Sequence, residues 1–130
     1  MPFTFAKKVT VSSSGAGSIS ARGNSYIADQ SATVNQTVPA GSTNLEIDIA
    51  FPTTGLAIVE LVSSVDMTVK TNSSGSPQET LALKAGVGVG WAKDDLHACP
   101  FAGAVTKFFV TNSGTKDGKV ECLAGFGATT

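Results

Sequence analysis

The chain has 130 residues and a mass of 13.2 kDa, which is the size of one domain. Hydrophobic residues make up 42% of it and charged residues only 15%, whereas an ordinary soluble domain is about 25% charged. This balance excludes a disordered chain, and a formal net charge of −1 gives no attraction for a phosphate backbone, so nucleic-acid binding is not expected. We expect a single domain over residues 1–130 whose sparsely charged surface is partly covered by a partner.

The lack of a recognisable targeting signal and the small number of cysteines predict a protein that is made in a cytoplasm. The first residues lack the apolar core of a secretory signal, and no run approaches the ~18 apolar residues of a membrane span. The two cysteines, Cys99 and Cys122, are too few for a disulfide framework. They favour two buried free thiols, leaving open whether the pair could bond.

Alternation of apolar and polar residues, the period of a β-strand, dominates the chain. The clearest example is 44–51, where apolar residues from Leu45 to Phe51 alternate with Glu46 and Asp48. Residues 56–62 form a nearly continuous apolar run, which predicts a strand buried on both faces. In chain order the predicted strands cover residues 3–11, 19–28, 32–38, 44–51, 56–62, 65–70, 80–84, 87–92, 105–111 and 119–123.

The breaks between these strands are rich in glycine, serine and proline. They predict a flexible loop at 12–18, a second loop at 71–77, an irregular stretch at 93–103 and a glycine-rich C-terminal tail at 125–130. Helical spacing is not sustained anywhere. Eight to ten short strands at roughly ten-residue spacing predict an all-β, antiparallel β-sandwich, and a jelly-roll-like arrangement fits this number of strands best.

Metal binding is the most specific chemical hypothesis that the residues offer. Asp95, His97 and Cys99 alternate, so that on an extended segment all three could approach a zinc ion. A tetrahedral site needs four ligands, or three and a water, and the chain offers no second histidine and no CxxC pair. We therefore predict no metal, no cofactor and no catalytic residue, and a zinc-dependent or hydrolytic enzyme is the least favoured alternative.

The glycine-rich segment 86–91 resembles a phosphate loop only superficially. It lacks the GxGxxG spacing, a following lysine and a following helix. It predicts instead a strand whose glycines allow another backbone or a large ring to approach closely, and Trp91 could supply that ring. Core or half-buried packing is the favoured interpretation of Trp91. A sugar-stacking platform formed with Tyr26 stays open, which gives a carbohydrate-binding or receptor-binding module as the alternative function.

Four aromatic residues are predicted to bind a partner: Trp91, Phe101, Phe108 and Phe126. Phe108 and Phe109 must point to opposite faces of one strand, so one belongs to the core and the other faces the second sheet or a partner. Phe101 falls in a loop. Phe126 lies among glycines near the C-terminus, where it could anchor little within its own fold, and we expect it to insert into a neighbouring subunit.

The C-terminal half resembles a known group of proteins. The segment 79–86 (ETLALKAG), followed by Trp91, Pro100-Phe101, the segment 104–112 (AVTKFFVTN) and a last short strand, resembles small virion proteins encoded near the capsid genes of tailed bacteriophages. These are decoration or cement proteins with a jelly-roll-like β-sandwich. The resemblance covers residues 79–124, and Cys99 departs from an Asn-Pro step in the pattern.

The resemblance implies a non-enzymatic structural protein on the outer capsid surface of a virion. Its partners would be the major capsid protein and further copies of itself, as a dimer or trimer at two-fold or three-fold positions of the lattice. Because one oligomer would contact several capsid subunits, modest interfaces would add up through avidity. The loop 12–18 and the tail 125–130 would be the parts that reach across, with neither a membrane nor a nucleic acid involved.

Overall fold

The computed structural model describes residues 3–13, 17–28 and 30–127. No helix is present in these ranges, and hence none that could cross a membrane. Ten strands account for most of the described chain, and the all-β prediction is confirmed. They are β1 (Phe3–Ser13), β2 (Gly17–Ala28), β3 (Gln30–Val38), β4 (Ser42–Phe51), β5 (Ile58–Ser63), β6 (Met67–Thr71), β7 (Thr80–Leu83), β8 (Val89–Ala92), β9 (Val105–Asn112) and β10 (Gly118–Phe126).

Eight of these strands form two four-stranded antiparallel sheets, with the strand orders β3-β10-β5-β8 and β4-β9-β6-β7. The pairings are nested, because β3 pairs with β10, β4 with β9, β5 with β8 and β6 with β7. Nested pairs of this kind arise when one long antiparallel hairpin is rolled into two sheets, which is the jelly roll. The prediction of a jelly-roll-like β-sandwich is therefore confirmed.

The core lies between the two sheets and follows the period of two in the sequence. In β4, Ile47, Ile49 and Phe51 are buried, while Glu46 and Asp48 are exposed on the other face. Residues of the same kind on the other strands complete the core, among them Leu61, Val69, Phe108, Val110 and Val120. Each large apolar side chain that is fully buried contributes about 1.5–3 kcal/mol, so the alternation stabilises the sandwich.

The apolar run at 56–62 is not buried on both faces as its composition predicted. Val59 and Leu61 of β5 are fully buried, but Glu60 between them is exposed and Val62 is half-buried. A sandwich covers only the inner face of each sheet, so the outer face of β5 remains open to solvent along most of its length. Only Ile58 is buried on that outer face.

The first two strands form a separate two-stranded antiparallel sheet, which we call the β1–β2 hairpin. Its register runs from Phe3 opposite Ala28 to Ser13 opposite Gly17, and neither strand pairs with a strand of the sandwich. The predicted loop at 12–18 is shorter than expected, because both strands extend into it, and residues 14–16 lie outside the described residues.

The end of the hairpin packs on the sandwich through small apolar residues. Ala28, the last residue of β2, is buried in a cluster with Ala57, Ile58 and Ala92. This cluster explains why Ile58 is buried although it lies on the outer face of β5.

Candidate interaction surface

Two of the four aromatic residues predicted to bind a partner lie inside the sandwich. Phe108 has no exposed surface, and Phe101 is only 2% exposed. The ring of Phe101 meets that of Phe51 edge to face, with the ring centres 5.3 Å apart. We therefore correct the prediction for both residues: they fill the core, and their burial leaves no surface for direct contact with a partner. Phe109 is the outward, half-exposed member of its pair.

Trp91 lies on the inner side of the edge strand β8 and is half-buried against the core. It is opposite the fully buried Val59 in the pairing of β8 with β5. Its indole Nε1 donates a hydrogen bond to the backbone carbonyl of His97, 3.0 Å away. Packing is thus the interpretation of Trp91 that the geometry favours, and the side chain of Tyr26, its suggested partner on a sugar platform, lies outside the described part of the chain.

Gly88, just before β8, and Gly90 within it do admit a close neighbour, and the nearest one is a side chain that is not aromatic. The carboxylate of Glu60 occupies the space into which a Cβ atom at Gly88 or Gly90 would project. Glu60 is directly opposite Gly90 in the register of β5 with β8. The absence of a side chain at these two glycines leaves room for the acidic side chain to lie across the edge strand.

Asp95, His97 and Cys99, the three candidate zinc ligands, lie in the loop between β8 and β9. Their contacts there do not form a metal site. Asp95 Oδ2 accepts a hydrogen bond from the backbone N–H of Ala92 at 3.0 Å. His97 Nε2 lies 3.7 Å from that carboxylate, and Cys99 is a half-buried free thiol. Within the described ranges, no three His, Cys, Asp or Glu residues lie close enough together to hold a metal ion.

The loop at 71–77 and the segment that precedes β9 are joined by hydrogen bonds. Asn72, whose φ is 67°, accepts a bond from the backbone N–H of Thr106 at 2.7 Å and donates one to the carbonyl of Ala104 at 2.9 Å. The carboxylate of Glu79 accepts bonds from Thr71 Oγ1 and from the backbone N–H of Ala102. The loop at 71–77 is therefore fixed on the end of the sandwich.

Phe126 is anchored within its own chain, contrary to the expectation for a terminal phenylalanine. It is the last residue of β10, opposite Gln30 of β3, and it packs partly against the core. Its half-exposed side chain lines an open cleft of about 450 Å³ between the ends of the two sheets, together with Pro52 and Ala104. Of the predicted tail at 125–130, the first two residues belong to β10, and residues 128–130 lie outside the described residues.

The outer face of the sheet β4-β9-β6-β7 carries interspersed charges around one aromatic ring. Phe109 is flanked across the strands by Glu46 and Lys70. Lys107 Nζ lies 3.3 Å from Glu46 Oε1 and 4.0 Å from Asp48 Oδ1. Such exposed pairs contribute little to stability. Because acidic and basic side chains are mixed, this face has no strong electrostatic potential of a single sign.

The edge strand β3 is the feature that the sequence reasoning missed. It is exposed along most of its length and hydrogen-bonds to a neighbouring strand, β10, on one side only. The signal was present, because residues 30–38 contain no charged residue and no proline. The sequence predicts only a strand here, and the position of that strand at an edge follows from the topology.

The described residues thus define a jelly-roll β-sandwich to which a separate β-hairpin is attached. No known protein family, no curated protein and no solved structure matches the chain. The assignment of the fold therefore depends on the strand order.

Proposed function

We propose that this protein is a non-enzymatic structural protein of a virion, which binds the outside of a tailed-phage capsid and stabilises it by bridging major capsid subunits. The observation that carries the proposal is the β1–β2 hairpin, a sheet of its own beside a sandwich that is complete without it. A surface protein that bridges neighbours needs a rigid body and a segment that reaches beyond it. The sandwich and the hairpin fit these two requirements.

The length of the hairpin suits it to reach a second protein. Its strands have 11 and 12 residues, and at about 3.3 Å per residue each spans roughly 35 Å. Thr4 and Ala6 of β1 are exposed. A two-stranded hairpin alone is at best marginally stable in water and needs a surface to pack against. Lying across a capsid subunit would supply that surface, while Ala28 holds the end of the hairpin on the sandwich.

The weak charge of the chain supports the same proposal. Because only 15% of the residues of the chain are charged and its net charge is −1, its surface loses little hydration energy when it is covered. On the outer face around Phe109, acidic and basic residues alternate, so a partner meets no single strong charge. Several such interfaces, each modest, hold an oligomer on a lattice through effective concentration.

The test is co-sedimentation of the purified protein with expanded capsids of the phage that encodes it, after the capsids have been stripped of this protein. We expect saturation at a fixed number of copies per capsomer, and coated capsids that withstand higher temperature than bare ones. Absence of binding up to the solubility limit of a well-folded protein would overturn the proposal.

A variant lacking residues 1–27 serves as the control for the hairpin, since it keeps Ala28 and all eight strands of the sandwich. Circular dichroism should show an intact β-fold. We expect its binding to capsids to fall at least tenfold, because the reaching segment is gone. Unchanged binding of this variant would contradict the role assigned to the hairpin.

A further inference from the structure

Three of the four edge strands of the sandwich carry features that discourage pairing with another chain. The edges are β3 and β8 in one sheet and β4 and β7 in the other. β7 and β8 have only four residues each. β4 has two irregularities in its register with β9, a left-handed residue at Asn44 and the exposed acids Glu46 and Asp48.

β3 has none of these features. Its nine residues pair with β10 in an uninterrupted register, from Gln30 opposite Phe126 to Val38 opposite Gly118. It carries no charge and no proline. Long, regular and uncharged edges are templates for the addition of a further strand, because their outer N–H and C=O groups lack a strand partner.

The hydrogen bonds of β10 show which residues of β3 direct their backbone groups to the free edge. The carbonyls of Lys119 and Gly125 accept bonds from residues beside β5, so odd-numbered residues of β10 face β5 and even-numbered ones face β3. Since Cys122 is opposite Val34, even-numbered residues of β3 bond to β10. The odd-numbered residues therefore direct their N–H and C=O groups outward; they are Ser31, Thr33, Asn35 and Thr37.

We propose that β3 pairs antiparallel with β3 of a second copy about a two-fold axis at Val34, so that two sheets become one continuous eight-stranded sheet. In this register Thr33 is opposite Asn35 of the second copy, and Ser31 is opposite Thr37. All four outward residues of each copy then find a partner, and about eight backbone hydrogen bonds form between the chains.

A second copy of this protein is the partner that fits the free edge of β3 best, because β3 can pair with its own image about a two-fold axis. A two-fold axis requires that a surface match its own image. The outward residues of β3 are spaced symmetrically about Val34, and no like charges meet across the axis. The pairing does not depend on capsid binding, so the two proposals can fail separately.

The test is sedimentation velocity of the purified protein over a range of concentrations, for the wild type and three variants. Thr33→Pro removes an outward N–H and leaves the hydrogen bonds to β10 in place, and Thr33→Lys brings two positive charges to the centre of the pairing. Thr115→Lys is the matched control, because it makes the same substitution at an exposed position in the β9–β10 loop.

We expect the wild type and Thr115→Lys to form dimers, and both variants at Thr33 to dissociate at least ten times more readily with unchanged circular dichroism. If Thr33→Pro fails to fold, Thr33→Lys alone decides the question. A monomeric wild type, a trimer, or a dimer that both Thr33 variants preserve would overturn the proposal, because a two-fold pairing of β3 forms a dimer that needs this edge.

Discussion

The side chain of Asn112 donates a hydrogen bond to the backbone carbonyl of Val38, 3.1 Å away, and so joins the end of β9 in one sheet to the end of β3 in the other. The same amide group donates to the carbonyl of Lys116 at 2.9 Å, and its oxygen accepts from the backbone N–H of Gly114 at 3.2 Å. Asn112 has no exposed surface. A buried amide whose nitrogen and oxygen are both hydrogen-bonded fixes the relative position of the two sheets.

Replacing Asn112 by alanine should lower the free energy of unfolding by about 2–3 kcal/mol. The substitution removes three hydrogen bonds and leaves the carbonyl of Val38 buried without its side-chain donor. Urea unfolding measures the effect, and Ser113→Ala, at the exposed neighbouring position, should change stability by less than about 0.5 kcal/mol. Equal effects of the two substitutions would contradict the role of Asn112 in joining the sheets.

A second prediction separates core packing from surface contact in the loop between β8 and β9. Phe101→Ala should lower the free energy of unfolding by about 3–4 kcal/mol, because a buried ring and its edge-to-face contact with Phe51 are lost. Leu96→Ala in the same loop is the matched control, since Leu96 is fully exposed, and it should change stability by less than about 0.5 kcal/mol. A mild effect of Phe101→Ala in urea unfolding would show that Phe101 is not part of the core.

The strands were largely predictable from the sequence, because the alternation of apolar and polar residues indicates which side chains face the core. The alternation from Leu45 to Phe51 located β4, and its exposed acids are where the pattern placed them. The half-buried packing of Trp91 agrees with the interpretation that the sequence favours, but the burial of Phe101 was not predictable. A phenylalanine in a loop shows no period, and its burial depends on how the β8–β9 loop folds over the end of the sandwich.

The pairing of β1 with β2 and the position of β3 at an edge were also not predictable from the sequence. Strand patterns in residues 3–11 and 19–28 predict two strands but do not say which strands they pair with. Likewise, the uncharged sequence of β3 becomes informative only when the strand order places it at an edge. Which strands pair over long sequence separations depends on the whole fold, so a local sequence pattern does not predict it.

The two thiols should differ sharply in reactivity. Burial raises the pKa of the Cys122 thiol to about 12, and the negative charge of Glu60 adds to the shift. Because the thiolate is the reactive form, a disulfide reagent at about pH 8 should modify Cys99, which is half-exposed, and leave Cys122 intact until the chain unfolds. Rapid modification of both thiols in the folded protein would contradict this prediction.

The same pKa shift makes a prediction for stability at high pH. Below the unfolded value of 9.0 the Cys122 thiol is protonated in both states and does not affect the pH dependence. Between 9.0 and about 12 the unfolded chain loses the proton and the folded chain keeps it, so stability falls by up to about 1.4 kcal/mol per pH unit. Urea unfolding of the wild type and Cys122→Ala should show the steeper decline in the wild type, and parallel curves would contradict it.

Two substitutions of Asn72 distinguish the contribution of its side-chain hydrogen bonds to stability from the contribution of its left-handed backbone conformation. Its φ of 67° favours glycine or asparagine. Asn72→Gly should therefore lose only the side-chain hydrogen bonds, which join Asn72 to Thr106, Ala104 and Gln78, at a cost of about 1–2 kcal/mol. Asn72→Ala should lose the same bonds and add about 1 kcal/mol of strain. Thermal unfolding gives the order, and a variant Asn72→Ala as stable as Asn72→Gly would contradict it.

The most direct test of capsid binding through the hairpin is amide hydrogen exchange of residues 3–28, measured for the free protein and for the protein bound to capsids. A two-stranded sheet with an uncovered face opens readily, so its amides should exchange much faster in the free protein than those of β5 and β10. On the capsid, we expect strong protection of β1 and β2 with little change in the central strands of the sandwich. Bound protein whose hairpin amides exchange as they do in the free state would contradict this expectation.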